Sequence, residues 1–409
     1  MKIGGKKIGL STQIFAAMLL GAVLGIVIGE PMTKVGFIGT IWLNCIKMIV
    51  VPMVLVTIVT GVVSQKDMKT LGRISFRIMA YYIVTTLVAC AIGILVTSIV
   101  KPGAIANFTG LASKEVTGSA DITVADFFTG MFSSNITQTF ADGNILQTVV
   151  IAILLGVAIL RMKNPEHKEK AIKGMNVLND MVFSLINMIM LVSPIGVFFL
   201  MGDSFGKYGA GIFTSMATLV GTYYLACLVH VVLVYCTVIW VTAGINPLKF
   251  LKDSAELWVY TISTCSSVAA IPINIKVAKE KFNVPETISG FTVPLGSQMN
   301  YDGSVILYGC VILFISQTIG VPVTLGTMVK IILMSAILST GGGIPGSGIV
   351  KLLVMVTAFG LPTEIVGIIA AFYRLFDMGT TTNNCLGDLA GTVFVSKLED
   401  KAAARAKSA

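Results

Sequence analysis

The sequence predicts an all-helical membrane protein: six ordinary spans, then two interrupted hydrophobic segments, each followed by a polar-striped helix. Three observations carry that prediction. The 409 residues are 55% hydrophobic and only 12% charged, with a mean hydropathy of +0.89, far too apolar for a soluble domain. The basic residues cluster between apolar stretches. In the C-terminal third, apolar runs are broken by Gly, Ser and Pro, and the stretch DMGTTTNNCLGD at 377–388 sets polar groups at helical spacing.

The elements follow in order. Lys2, Lys6 and Lys7 precede an apolar stretch at 13–29. This resembles a secretory leader, but no AxA-type cleavage site follows and apolar segments continue, so a retained first helix is expected. Residues 36–63 and 74–100 form the second and third spans, separated by a loop with Lys66, Lys69, Arg73 and Arg77. Between 101 and 143 the composition turns to Gly, Ser, Thr and Asp with few bases, and a solvent-exposed, non-helical excursion is expected. The fourth span, 145–160, leads into RMKNPEHKEKAIK at 161–173, which reads as a solvated loop. The fifth span, 177–201, is expected to kink at Pro194, and the sixth covers 212–241.

The bases orient the chain. With six spans, the N-terminal lysines, the 66–77 loop, the 161–173 run and the pair Lys249 and Lys252 all fall on one side, which the positive-inside rule makes the cytoplasm. The net charge of +9 is therefore topological and calls for no nucleic acid. The seven cysteines lie in apolar stretches without a CxxC pair and read as buried thiols. The two histidines are too few for a zinc centre, and His230 reads as a packed or locally paired side chain.

The C-terminal part behaves differently. Residues 254–272 are apolar, flanked on both sides by lysines and interrupted by Ser263 to Ser267. A segment that dips in and returns keeps both flanks cytoplasmic, whereas a crossing would export one of them. Residues 331–357 repeat the pattern around STGGGIPGSG at 339–348, which cannot hold a straight spanning helix. Non-helical backbone at that depth is tolerated only where protein covers it or it lines a cavity. Two such segments, each followed by a polar-striped helix at 291–317 and 366–395, point to an inverted-repeat transporter with its site at the midplane.

The chemistry of that site is oxygen-rich. In one helix, Asp377, Thr381, Asn384 and Asp388 fall within roughly 40° of one direction. Asp302, Asp377 and Asp388 lie farthest inside apolar stretches, and no lysine is near enough in sequence to promise a partner. Bound cations are the natural partners, with carboxylate, amide, hydroxyl and freed carbonyl oxygens as ligands. An ion channel would show rings built from one repeated filter rather than two hairpins beside a stripe able to hold a zwitterion. An enzyme would need a nucleophile with its base, and neither a Ser, His and Asp arrangement nor a zinc motif is visible.

The segments YYIVTT (81–86), STCSSVAAIP (263–272), NYDGS (300–304), GGGIPGSG (341–348) and DMGTTTNNCLGD (377–388), in this order and spacing, closely resemble the dicarboxylate/amino acid:cation symporter family. The resemblance covers nearly the whole chain. It implies eight transmembrane helices with two re-entrant helical hairpins as inverted repeats, an elevator-type fold, a homotrimer and a multi-pass place in the cell membrane with both termini cytoplasmic. It further implies scaffold helices in 1–73 and 144–211, a transport domain in 74–100 and 212–396, an extracellular loop at 101–143 and a tail at 397–409.

By resemblance, Asp377 accepts the ammonium of an amino acid and Asn384 donates to its α-carboxylate. Thr381, Ser266, Ser267, Ile344 and Gly348 line the pocket. Asp388, Asn384, Asn300 and Gly296 resemble one sodium site, and Tyr82, Thr85, Thr86, Asn300 and Asp302 a second. A third would use carbonyls around 338–341, so two or three Na⁺ are implied, with H⁺ as the alternative coupling ion.

Two departures bear on substrate. Relatives that carry acidic amino acids have an arginine where this chain has Thr380, and some have another where it has Cys265. A side-chain carboxylate would be buried unpaired beside Asp377, at a cost of several kcal/mol. The expected substrate is a small neutral amino acid such as serine, threonine or alanine, with Thr380 and Ser304 as partners of its side chain. Acidic amino acids or C4-dicarboxylates are the alternative. Arg374, three residues before Asp377, lies on the side of the helix from which it would serve an anionic substrate in the pocket. The expectation against that is that it pairs with Asp377 or a neighbour, or reaches towards the interface.

Overall fold

The computed structural model describes residues 2–3, 6–7, 10–63, 72–105, 129, 132–208, 211–338 and 347–408. A two-residue antiparallel ladder joins Lys2–Ile3 to Lys6–Lys7, and the remaining regular structure among the described residues is helical.

The first half contains α1 (Leu10–Ile28), α2 (Glu30–Thr33), α3 (Phe37–Val63), α4 (Gly72–Val100), α5 (Ile136–Ala141), α6 (Ile145–Leu160), α7 (Pro165–Leu191) and α8 (Ser193–Tyr208). α1 packs along α8, and α3 packs against α6, α7 and α8. Small residues let these backbones approach: a Cβ at Gly25 would sit 2.8 Å from the Gly202 carbonyl oxygen.

Two expectations for this half need correction. The 101–143 stretch is not wholly irregular, because Asn135 caps α5 by accepting from the Gln138 amide at 3.1 Å. The run 161–173 is not wholly a loop either, since it is helical from Pro165 onward. Asn164 Oδ1 accepts from the Glu166 and His167 amides at 2.9 and 3.2 Å, Pro165 opens α7, and Lys173 pairs with Glu169 one turn away at 2.9 Å. The expected kink is present. α7 and α8 meet at 54° around Val192, just before Pro194.

The second half begins with α9 (Gly211–His230), which continues through a π turn (Val231–Cys236) into α10 (Thr237–Ala243). After α11 (Pro247–Asp253), the first interrupted segment forms α12 (Ala255–Thr264) and α13 (Ser267–Phe282), packed against each other. The chain reverses at Cys265, which is left-handed at φ 50°, and Ser266 caps α13 by accepting from the Ala269 amide at 3.2 Å.

Then come α14 (Glu286–Met299), α15 (Asp302–Thr318), α16 (Leu325–Leu338), α17 (Ser347–Ala358) and α18 (Glu364–Ser408). α18 continues through the expected tail and is ~68 Å long at 1.5 Å per residue. It packs on α12, α13, α14, α15 and α10, while α4 packs on α15, α16 and α9. α4 and α15 come close enough that a Cβ on Gly93 would lie 2.7 Å from the Ile306 carbonyl oxygen.

The expected single helix over 291–317 is broken. Asn300 is extended (φ −99°, ψ 103°), and Tyr301 lies between α14 and α15. Among the described residues, Phe76–Ala104, Phe213–Ala243 and Glu286–Thr318 are long and apolar enough to cross a membrane, and the bent α7 and α8 pair makes a fourth when counted as one span. All seven cysteines are free, and all but the half-buried Cys45 are buried.

Candidate functional site

The break between α14 and α15 is the centre of the site. A helix start exposes amide donors and favours negative charge. Asp302 is the first residue of α15, and the Gly303 amide donates to Asn384 Oδ1 of α18 at 2.8 Å. That bond orients the Asn384 side chain, leaving its Nδ2 donors for another group. Gly303 is required, because an added Cβ would lie 2.7 Å from Thr380 Cα.

Asp302 is fully buried. Thr86 of α4 donates to its Oδ1 at 2.9 Å, and Tyr235 donates to its Oδ2 at 2.8 Å. Tyr235 belongs to the π turn after His230, and such turns are frequent at functional sites because they re-aim side chains. His230 Nε2 lies 3.8 Å from the same oxygen, and its Nδ1 lies 3.4 Å from Asn383 Nδ2. This fits the locally paired histidine expected from sequence.

Asn300 reaches the second carboxylate. Its Nδ2 donates to the Asn384 carbonyl and to Asp388 Oδ1, both at 3.0 Å. Its Oδ1 is buried with no hydrogen-bond partner. Gly296 completes this corner: a Cβ there would collide with Asp388 Oδ1 and the Tyr82 hydroxyl. Tyr82 donates to the Thr292 carbonyl at 3.1 Å, and Thr85 to the Tyr82 carbonyl at 3.2 Å. Among the described residues, no lysine or arginine forms an ion pair with Asp302 or Asp388. Two buried carboxylates, an orphaned amide oxygen and several hydroxyls make an oxygen-rich cluster suited to a hard cation.

Nearer the start of α18 lie Asp377, Thr380 and Thr381, all buried. Thr380 Oγ1 donates to the Asp377 carbonyl at 3.1 Å and stands 3.4 Å from its Oδ1. The first hairpin is tied to α18 by Thr261 and Thr382 (3.1 Å between hydroxyls) and by Asn274 Nδ2 donating to the Cys385 carbonyl at 3.1 Å. Ser267 is buried and Ser266 half-buried at its turn. Ser304 is buried one turn before Tyr308, whose hydroxyl has no hydrogen-bond partner. Gly348 lies against Tyr373, where an added Cβ would collide with the hydroxyl. Ile344 and residues 339–341 lie outside the described residues. Arg374 is buried, at 8% exposed.

The matching family model is the sodium:dicarboxylate symporter family, over residues 10–398. The chain belongs to that family. A proton/sodium-glutamate symport protein of Bacillus subtilis is 30% identical over 404 residues, covering 96% of this chain and 93% of the relative. A C4-dicarboxylate transport protein of Rhizobium etli is 29% identical over 400 residues, covering 96% and 89%. The sodium:dicarboxylate symporter family is a family of symporters, so this chain is a membrane-embedded symporter of a small molecule, coupled to sodium or protons.

Within this symporter fold, sequence reading missed several residues. Tyr235 stands in no motif, and Asn383, though inside DMGTTTNNCLGD, has no role its spacing signals; their places depend on the π turn and on helix packing. Lys351 is the correction that matters most. It is buried on α17 with Nζ 4.1 Å from the Tyr301 ring centroid, a place that no motif signals. The one signal was a single lysine inside the apolar run IVKLLVMV.

Proposed function

We propose that this symporter carries a small neutral amino acid, such as serine, threonine or alanine, together with Na⁺. The observation that carries the reading is the double engagement of Asn384. Its side-chain oxygen holds the start of α15, where Asp302 sits, and its backbone oxygen holds Asn300, which bonds Asp388. A substrate carboxylate taken by the Asn384 Nδ2 donors thereby shares a residue with the cation cluster, which couples the two binding events.

In this reading Asp377 accepts the substrate ammonium, and Thr381, Ser266, Ser267, Ile344 and Gly348 line the pocket. Thr380 and Ser304 meet the substrate side chain. One Na⁺ is held by Asp388, Asn384, Asn300 and the Gly296 carbonyl, and another by Asp302, Asn300, Tyr82, Thr85 and Thr86. The chain spans the membrane with eight helices and two re-entrant hairpins, assembles as a homotrimer, and moves 74–100 and 212–396 as an elevator against 1–73 and 144–211. Both termini are cytoplasmic. Two or three Na⁺ accompany each substrate.

Thr380 and Cys265 support a neutral substrate, since neither offers the planar fork that holds a second carboxylate. Arg374 favours the second reading, uptake of acidic amino acids or C4-dicarboxylates with Na⁺ or H⁺. It is buried on α18 one turn before Asp377, and the named relatives carry glutamate and C4-dicarboxylates. Uptake into proteoliposomes under an inward Na⁺ gradient separates the two. Serine or alanine is expected to accumulate and glutamate is not. Preferential uptake of glutamate or succinate would overturn the neutral reading.

A further inference from the structure

Lys351 is 4% exposed, so its charged form is largely withdrawn from solvent, a costly arrangement that methionine or leucine would avoid. Its Nζ lies 4.1 Å from the Tyr301 ring centroid, well inside the range in which an aromatic face attracts a cation. The ring is itself fixed: Tyr301 is 5% exposed, and its hydroxyl donates to the Ser297 carbonyl at 3.2 Å. Tyr301 also occupies the break between α14 and α15, with Asn300 before it and Asp302 after it. The ammonium is therefore placed on the residue that joins the two halves of the oxygen cluster.

From this juxtaposition we infer that the Lys351 ammonium is a tethered cation that takes the electrostatic place of one coupling cation. The inference rests on the cation-coupled reading of the cluster. Asp302 and Asp388 put two carboxylates in one buried region. A positive charge that α17 brings to the Tyr301 ring, between Asn300 and Asp302, is one that solution need not supply. The lysine belongs to the second interrupted segment and the ring to the helix break, so the contact also ties these elements together.

The test is the number of coupling cations per substrate, read from reversal potentials of substrate flux in proteoliposomes holding the purified full-length protein, with Na⁺ and H⁺ gradients varied separately. Lys351→Met is expected to couple one more cation per substrate than the native chain, with a steeper Na⁺ dependence. Lys351→Arg is expected to keep the native number. A folded Lys351→Met that transports with native stoichiometry overturns the inference. So does one that keeps the native cation number but loses affinity for an anionic substrate, because the lysine would then be a substrate ligand. Lys351→Gln carries the same expectation as Lys351→Met. If both neutral variants fail to fold while Lys351→Arg is native, the charge is structural and the inference is wrong.

The comparison uses whichever substrate the native protein carries. An acidic native substrate thus refutes the neutral-substrate reading without deciding the role of Lys351. A native protein with no cation-driven uptake of any substrate refutes the coupling reading itself.

Discussion

At the scale of single residues, function turns on which buried oxygens are already satisfied. Asp302 receives hydroxyl donors on both oxygens, while the Asn300 amide oxygen receives none. Bonds to a charged carboxylate are worth about 1.5–3 kcal/mol each. Asp302→Asn, which keeps the shape and removes the charge, is expected to raise the Na⁺ concentration for half-maximal uptake about tenfold or more. Unchanged Na⁺ dependence in a folded Asp302→Asn protein would remove this residue from the cation site. Thr380 makes the complementary case for substrate. Its hydroxyl serves Asp377, and Thr380→Arg is expected to move preference towards acidic substrates by at least tenfold in competition. A variant that still prefers serine over glutamate by the native ratio would show that position 380 does not set selectivity.

The same residues mark how far the sequence could be read. The polar stripe of α18 was legible because helical spacing alone puts Asp377, Thr381, Asn384 and Asp388 on one side. The pairings of that stripe were not. Asn384 with Gly303 and Asn300 with Asp388 join residues more than 80 positions apart. Lys351 was visible as a letter, but its partner Tyr301 is on another element, and no local rule connects the two.

At the scale of elements, the first hairpin was legible because its turn is local chemistry. Cys265 adopts the left-handed conformation and Ser266 caps the returning helix. Loss of such a cap costs about 1 kcal/mol. Ser266→Ala is therefore expected to lower the thermal unfolding midpoint of the purified protein, and Ser266→Asn to restore it. Equal midpoints for all three proteins would show that the cap contributes nothing.

The break at Asn300 and Tyr301 was not legible, since no glycine or proline stands there and Asn300 uses ordinary extended backbone. What makes the break tolerable is tertiary: Asn384 satisfies the amide that α15 would otherwise leave exposed. The π turn is similar. VVLVYC carries no signal for it, yet it delivers Tyr235 to Asp302. The start of α7 was a missed signal of a different kind. Asn164 followed by Pro165 is a helix-start pattern, and the surrounding charge masked it.

At the scale of the whole molecule, composition decided the solvent and the family match decided the class of activity. A symporter must make substrate and cation depend on each other, and the described residues supply a physical route: α18 carries both the Asp377 end and the Asp388 end of its stripe, and Asn384 between them holds the broken start of α15. In this chain Thr380 and Cys265 offer no guanidinium, while Arg374 and Lys351 are buried.

The most direct test is one competition panel on the purified native protein. Binding of labelled serine or alanine is measured in saturating Na⁺ and again with Na⁺ replaced by choline, against unlabelled neutral amino acids, glutamate, aspartate and succinate. The expected result is Na⁺-dependent binding displaced by small neutral amino acids at concentrations at least tenfold lower than by any dicarboxylate. Displacement by glutamate or succinate ahead of serine and alanine would contradict it.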